Sequence, residues 1–143
     1  MNKKGFTLIE LLVVIAIIGL LTTMSVLALQ SSRARERDAK RLGDVKQLQT
    51  ALALYEHDAD TYPATASVTP GASLGYNGVV YMALVPTPPL PDDGCSGSDK
   101  YTYTLQTISG DQTSYTLNYC LGALTSGIPA GLNIATPAGI QTK

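Results

Sequence analysis

From Phe6 to Leu29 the chain runs 24 residues with a single charge, Glu10, close to its start. As a helix, such a stretch is long enough to cross the hydrocarbon core of a bilayer. The carboxylate is expensive at that depth, on the order of 2.5–3.5 kcal/mol for a mid-helix acid on insertion scales. A cleaved secretory signal fits poorly, because its apolar core usually covers about 7–15 residues and ends at a small-x-small site. Here Ala28 is followed by Leu29-Gln30-Ser31-Ser32 and then by charges. A plain single-pass anchor accounts for the length and leaves Glu10 without a purpose.

The stretch Lys3-Lys4-Gly5-Phe6-Thr7-Leu8-Ile9-Glu10, with the apolar run behind it, closely resembles the leader and first helix of type IV pilins and pseudopilins. The resemblance implies a cut between Gly5 and Phe6 by a membrane-embedded prepilin peptidase, followed by methylation of the new Phe6 terminus. It also implies an assembly role for Glu10. Elementary physics agrees: after the cut, Phe6 carries a free amine and Glu10 lies about one helical turn on. Both groups are costly in lipid unless paired. A staggered neighbour that gives its Phe6 amine to this Glu10 neutralises both, which penalises the lone subunit and favours one polymer register.

Helical patterning continues past the span. Leu42, Val45, Leu48, Leu52 and Tyr55 recur at intervals of three and four, an amphipathic stripe that needs a partner surface. The spacing predicts one helix from Phe6 to about His57, roughly 75 Å long at about 1.5 Å per residue. Gly19 and Gly43 weaken it locally, and Asp58-Ala59-Asp60-Thr61-Tyr62-Pro63 ends it. Ala51-Leu52-Ala53-Leu54-Tyr55 followed by an acidic turn and Tyr62-Pro63 resembles the major pseudopilins of type II secretion systems. That likeness covers residues 1 to about 64 well and the rest in outline. Many members of the family carry a proline in the membrane helix that helps it melt during assembly. Here only Gly19, with Thr22 and Thr23, can serve that purpose.

Charge is unevenly spread along a chain of net charge −1. Between Arg33 and Lys46, six cations (Arg33, Arg35, Arg37, Lys40, Arg41, Lys46) face Glu36, Asp38 and Asp44, a balance of +3. From Gln47 onward seven acids face only Lys100 and Lys143, a balance of −5. A basic collar under an acidic head suits lipid headgroups before assembly and neighbouring subunits after it, or is simply a solvated helix face. Counting Lys and Arg beside the span places the C-terminal part in the cytoplasm. The cysteines and the family resemblance imply instead a head outside the cytoplasm.

The remaining residues read as a small β-rich head. Tyr101-Thr102-Tyr103-Thr104-Leu105 and Tyr115-Thr116-Leu117-Asn118-Tyr119 alternate apolar with polar around the turn residues Ser109-Gly110-Asp111-Gln112, which predicts an antiparallel hairpin. Tyr101, Tyr103 and Leu105 then join Tyr115, Leu117, Tyr119 and Leu121 over the helix stripe. Val79-Val80-Tyr81 reads as a strand or a short helix, Pro86 to Pro91 as an irregular loop, and residues 121–143 carry no assignable pattern. Cys95 and Cys120 lie 25 apart, which is neither a zinc nor a thioredoxin spacing. In an exported head they are expected as one disulfide, with Cys120 on the side of its strand away from the apolar face.

Enzymatic readings find little support. His57 is the only histidine, at a helix end with no nucleophile pattern beside it, and no glycine-rich phosphate loop follows a strand. Asp92, Asp93 and Asp99 are candidates for calcium through oxygen ligands. The pseudopilins that the chain resembles bind calcium through a C-terminal acidic loop, whereas residues 121–143 here contain no acid. Surface tyrosines beside a basic collar hint at DNA, but an acidic head argues against a nucleic-acid partner.

The expected protein is therefore a non-enzymatic α+β subunit with a pilin-like fold and no cofactor beyond a possible calcium ion. Residues 1–5 form the leader, 6–29 the membrane and filament-core half of the helix, 30–57 its amphipathic half, and 58–143 the head. Its expected partners are copies of itself, the prepilin peptidase, an inner-membrane assembly platform and membrane lipid. Its expected location is the bacterial inner membrane, single-pass, and then a periplasmic pseudopilus or extracellular pilus. The alternatives are a true type IV pilin of an adhesion, motility or DNA-uptake pilus, and an anchored binding module that never polymerises.

Overall fold

A computed structural model describes residues 5–95, 101–109 and 112–141. Helix α1 covers Leu8–Ala59, a 52-residue segment without an internal proline. It ends where Asp60 takes the left-handed conformation at φ 53°, the usual stop just past a last helical turn. The expected bounds, Phe6 and His57, differ from these by two residues at each end, the normal scatter of frayed termini. The chain divides after Arg33 into two units, the first holding the apolar half of α1 and the second the rest of α1 with the sheets.

Within the second unit, strands β3 (Thr102–Ser109), β4 (Gln112–Leu121), β5 (Gly131–Thr136) and β6 (Gly139–Gln141) form an antiparallel sheet in that order. Tyr103 pairs with Leu117, Leu117 with Ala135, and Ala135 with Ile140, so one inward row crosses all four strands. The expected inner face is present: Tyr101, Tyr103, Tyr115, Leu117, Tyr119 and Leu121 are buried, with Leu105 partly so. They pack with Val45, Leu48, Ala51 and Leu52 from α1. The tyrosines interlock edge to face, with Tyr62 and Tyr115 ring centres 4.9 Å apart. Burial raises the Tyr115 hydroxyl to about 12. Tyr103 donates its hydroxyl to the Pro63 carbonyl at 2.8 Å, tying the chain just beyond α1 to the sheet.

Three strands escaped the sequence reading, β5, β6 and the first strand of a small hairpin, whereas Val79-Val80-Tyr81, read as a strand or a short helix, is a strand. Strands β5 and β6 lie in the stretch that showed no pattern, because β6 is only three residues long and β5 inverts the usual polarity. Asn133 and Ala135 point inward and are buried, while Leu132 remains 38% exposed. A small hairpin, β1 (Leu74–Tyr76) and β2 (Val79–Met82), turns through Asn77 and Gly78 at φ 46° and 82°. Asn-Gly with both residues at positive φ is the favoured two-residue hairpin turn, and the dipeptide was there to be read. Tyr55 on α1 contacts the rings of Tyr76 and Tyr81 from this hairpin.

Candidate functional site

The first turn of α1 is closed by a reciprocal cap. The Thr7 amide and hydroxyl both donate to Glu10 Oε2, at 2.8 and 2.7 Å. The Glu10 amide donates back to Thr7 Oγ1 at 3.3 Å. Thr-x-x-Glu is a capping box, which satisfies backbone donors that the first turn otherwise leaves bare. Glu10 thus has a duty inside its own chain that the sequence reading missed, although the four-residue signature was legible. Beside the cap Phe6 is 86% exposed, and Leu8, Ile9 and Leu12 continue an apolar surface along α1. Thr22, Thr23 and Ser25 turn their hydroxyls onto the carbonyls of Ile18, Leu20 and Leu21 at 2.7–2.9 Å. Polar groups satisfied within the helix are what a lipid environment demands. Among the described residues α1 is the helix long and apolar enough to cross a membrane, and none of that apolar window is buried.

A second constellation lies in the other unit, where two of the six collar cations, Arg37 and Arg41, turn inward. Arg41 is 2% exposed and Asp38 is fully buried. Arg41 Nη1 donates to Asp38 Oδ1 at 2.7 Å and to Asp93 Oδ2 at 3.1 Å. Its Nη2 donates to the carbonyls of Pro89 and Pro91 at 3.1 and 2.9 Å. Arg37 grips the same Asp93 with two bonds, Nε to Oδ2 at 2.6 Å and Nη2 to Oδ1 at 2.5 Å. Asp38 in turn accepts the amides of Gly122 and Ala123, each at 2.9 Å. This clasp binds α1 to the proline loop through the Arg41 guanidinium and to the end of β4 through the Asp38 carboxylate. Gly122 is needed there, because a Cβ at that position lies 2.7 Å from Asp93 Cβ. Beside the clasp, the Tyr101 hydroxyl donates to buried Asp44 at 2.9 Å. Burial first, and then that bond, push its pKa well above the ordinary phenol value.

The calcium expectation changes accordingly. Asp93 has both oxygens occupied by arginine, and the Arg37 hydrogen bond holds its carboxyl below the usual range. Asp92 is exposed, and Asp99 lies outside the described residues. Among the described residues no group of three or more His, Cys, Asp or Glu side chains is placed to hold a metal ion. A guanidinium occupies the place where the sequence suggested a cation site. No local signal announced this, because Arg41 and Asp93 are 52 positions apart.

Cys95 and Cys120 are joined in a disulfide, Cα to Cα 5.7 Å, across a sequence separation of 25. It fastens the loop that follows Asp93 to β4, so the segment is held twice, covalently and by the clasp. A loop of this size contributes about 3.5 kcal/mol in the chain-entropy model. Reduction, or Cys95→Ser with Cys120→Ser, is expected to lower the melting temperature measured by tyrosine near-UV dichroism. Equal melting with and without reductant contradicts that contribution.

Comparison with known proteins adds the following. The family description "Prokaryotic N-terminal methylation motif" matches residues 1–26. The chain is 32% identical over 101 residues to the type II secretion system core protein G of Escherichia coli K12, covering 64% of this chain and 70% of that one. It is 31% identical over 120 residues to the protein of the same name from Vibrio cholerae, covering 77% and 82%. The Pectobacterium carotovorum protein aligns at 36% over 64 residues, 45% of this chain and 41% of the relative. No solved structure matches significantly.

Proposed function

Because the chain belongs to the type II secretion core protein G family, we propose that it polymerises through α1 into a pseudopilus-like filament. Residues 1–5 are the leader, removed by the prepilin peptidase, and Phe6 becomes the methylated terminus. The span 6–29 resides in the inner membrane with the head outside the cytoplasm. An assembly platform then extracts it into the filament, where the same apolar face packs against other copies. The observation that carries this reading is the exposed apolar half of α1, with Glu10 set in its first turn. Large contiguous apolar surfaces mark membrane or protein contacts, and this one serves both in succession. The Glu10 carboxylate meets the Phe6 amine of a staggered neighbour. That contact neutralises two charges that lipid and packed helices alike disfavour.

Processing supplies the first test. A peptidase cutting after residue 5 needs an unhindered residue before the bond, and glycine has no Cβ. The intact mass of protein from native membranes is expected to begin at Phe6 with one added methyl group. Gly5→Leu is expected to leave a full-length precursor in the membrane fraction and no filaments by electron microscopy. A mature chain beginning at Met1, or beyond Leu29, overturns the proposal. Processed subunits that never form filaments point instead to an anchored binding module.

A further inference from the structure

The clasp changes what the basic collar offers to a partner. Arg37, Arg41, Asp38 and Asp44 turn inward, whereas Arg35, Lys40 and Lys46 stay exposed, with Glu36 the one exposed acid between them. Near the end of the same helix, Glu56, Asp58 and Asp60 are exposed acids. Among the described residues the ion pairs are those of the clasp, so none of these seven surface groups is in one. Asp58 accepts the Tyr81 hydroxyl at 2.5 Å, which fixes its orientation. Helix α1 and the residue just past it therefore carry a cationic cluster and an anionic cluster, neither in an ion pair among the described residues.

Their spacing rules out pairing within one chain. Lys40 and Asp58 lie on the same side of α1 about five turns apart, roughly 27 Å. The corresponding separations are about 32 Å for Arg35 and Glu56, and about 21 Å for Lys46 and Asp60. Ionic screening at physiological salt acts over about 8 Å, so the clusters do not influence each other within a subunit. A second copy displaced by about 20–30 Å along the helix direction brings its cations level with the acids of the first.

We infer that Arg35, Lys40 and Lys46 of one copy dock on Glu56, Asp58 and Asp60 of a second copy staggered along α1. This rests on the filament reading and adds to it a contact that sets the stagger outside the membrane segment. Single exposed pairs contribute little. Here the contact recurs at every subunit interface, and complementary charge chiefly selects register and suppresses wrong neighbours.

The test uses the full chain expressed with its secretion machinery, with filament yield by electron microscopy normalised to membrane-bound subunit. Arg35→Glu with Lys40→Glu, or Glu56→Lys with Asp60→Lys, is expected to cut the yield by at least about fivefold, and all four changes together to restore about half or more. In unaltered filaments a zero-length carbodiimide is expected to link Lys40 to Glu56 or Lys46 to Asp60, links that only two copies can make. This measurement decides the matter where a variant fails to accumulate. Normal yield from either reversal, loss without restoration, or absence of those links overturns the inference. Loss from the collar reversal alone assigns the cations to anionic lipid and likewise overturns it. Wild-type chains that form no filament overturn the filament reading itself, which is distinguishable because no variant enters that result.

Discussion

Glu10→Ala is expected to leave the subunit in the membrane at normal or higher abundance and to abolish filaments. Insertion improves because a charge has left the span. Assembly fails because a neighbour's Phe6 amine is then buried without its counter-ion, a strongly unfavourable state among packed helices. The capping box makes the choice of control important. Ala removes both the cap on Thr7 and the negative charge, and loss of a cap alone costs about 0.5–2 kcal/mol. Glu10→Gln keeps an oxygen for the Thr7 amide and hydroxyl, since Gln also closes such boxes. It carries no charge. If pairing with the amine sets the register, Gln behaves like Ala; if the cap is what assembly needs, Gln forms filaments normally. Filament counts by electron microscopy beside membrane-fraction abundance separate the outcomes, and normal filaments from Glu10→Ala refute any register role for this carboxylate.

The largest stability loss in the head is expected at Arg41. Replacing it with Met conserves length and leaves Asp38 buried without its cation, with the Pro89 and Pro91 carbonyls losing their donor. Breaking a buried pair from one side typically costs about 3–5 kcal/mol. For a unit of this size that corresponds to a fall in melting temperature of more than about 10 °C. Full-length chains in detergent, followed by tyrosine near-UV dichroism, report it directly. Lys40→Met, one position away on the exposed side, is expected to stay within about 0.5 kcal/mol of wild type. The clasp also gives a pH dependence with a definite sign. Asp93 has its folded-state pKa lowered, first by the Arg37 hydrogen bond, which outweighs the opposing effect of burial, and to a lesser degree by Arg41. Its stabilisation is therefore complete above the unfolded value near pH 3.9, and is lost as the pH falls through the folded one. The gap between wild type and Arg37→Met should be full at neutral pH and narrow below about pH 4. A gap that is constant with pH, or Arg41→Met melting like wild type, contradicts the clasp.

Much was fixed by local chemistry and so could be read along the chain. The apolar length, the lone Glu10 and the basic-glycine-phenylalanine start mark a helix long and apolar enough to cross a bilayer, because bilayer thickness and the cost of a buried carboxylate act on consecutive residues. The heptad-like stripe from Leu42 to Tyr55 and the alternating tyrosines of β3 and β4 declare their buried faces by periodicity alone. Thr7-x-x-Glu10 and Asn77-Gly78 were equally local and needed only to be noticed. What the tertiary structure decided is where local sequence and environment disagree. Asn133 and Ala135 sit inward while Leu132 stays partly exposed, so β5 inverts the polarity by which strands are recognised. Arg37 and Arg41 look like surface collar, as i and i+4 charges on a helix usually are. They are committed instead to Asp93, far along the chain, because the proline loop and the disulfide carry that carboxylate to α1. Sequence alone could assign this protein its long apolar helix and its family. Which charges stay on its surface depended on folding, since a charge is taken from the surface only when a distant partner is brought to it.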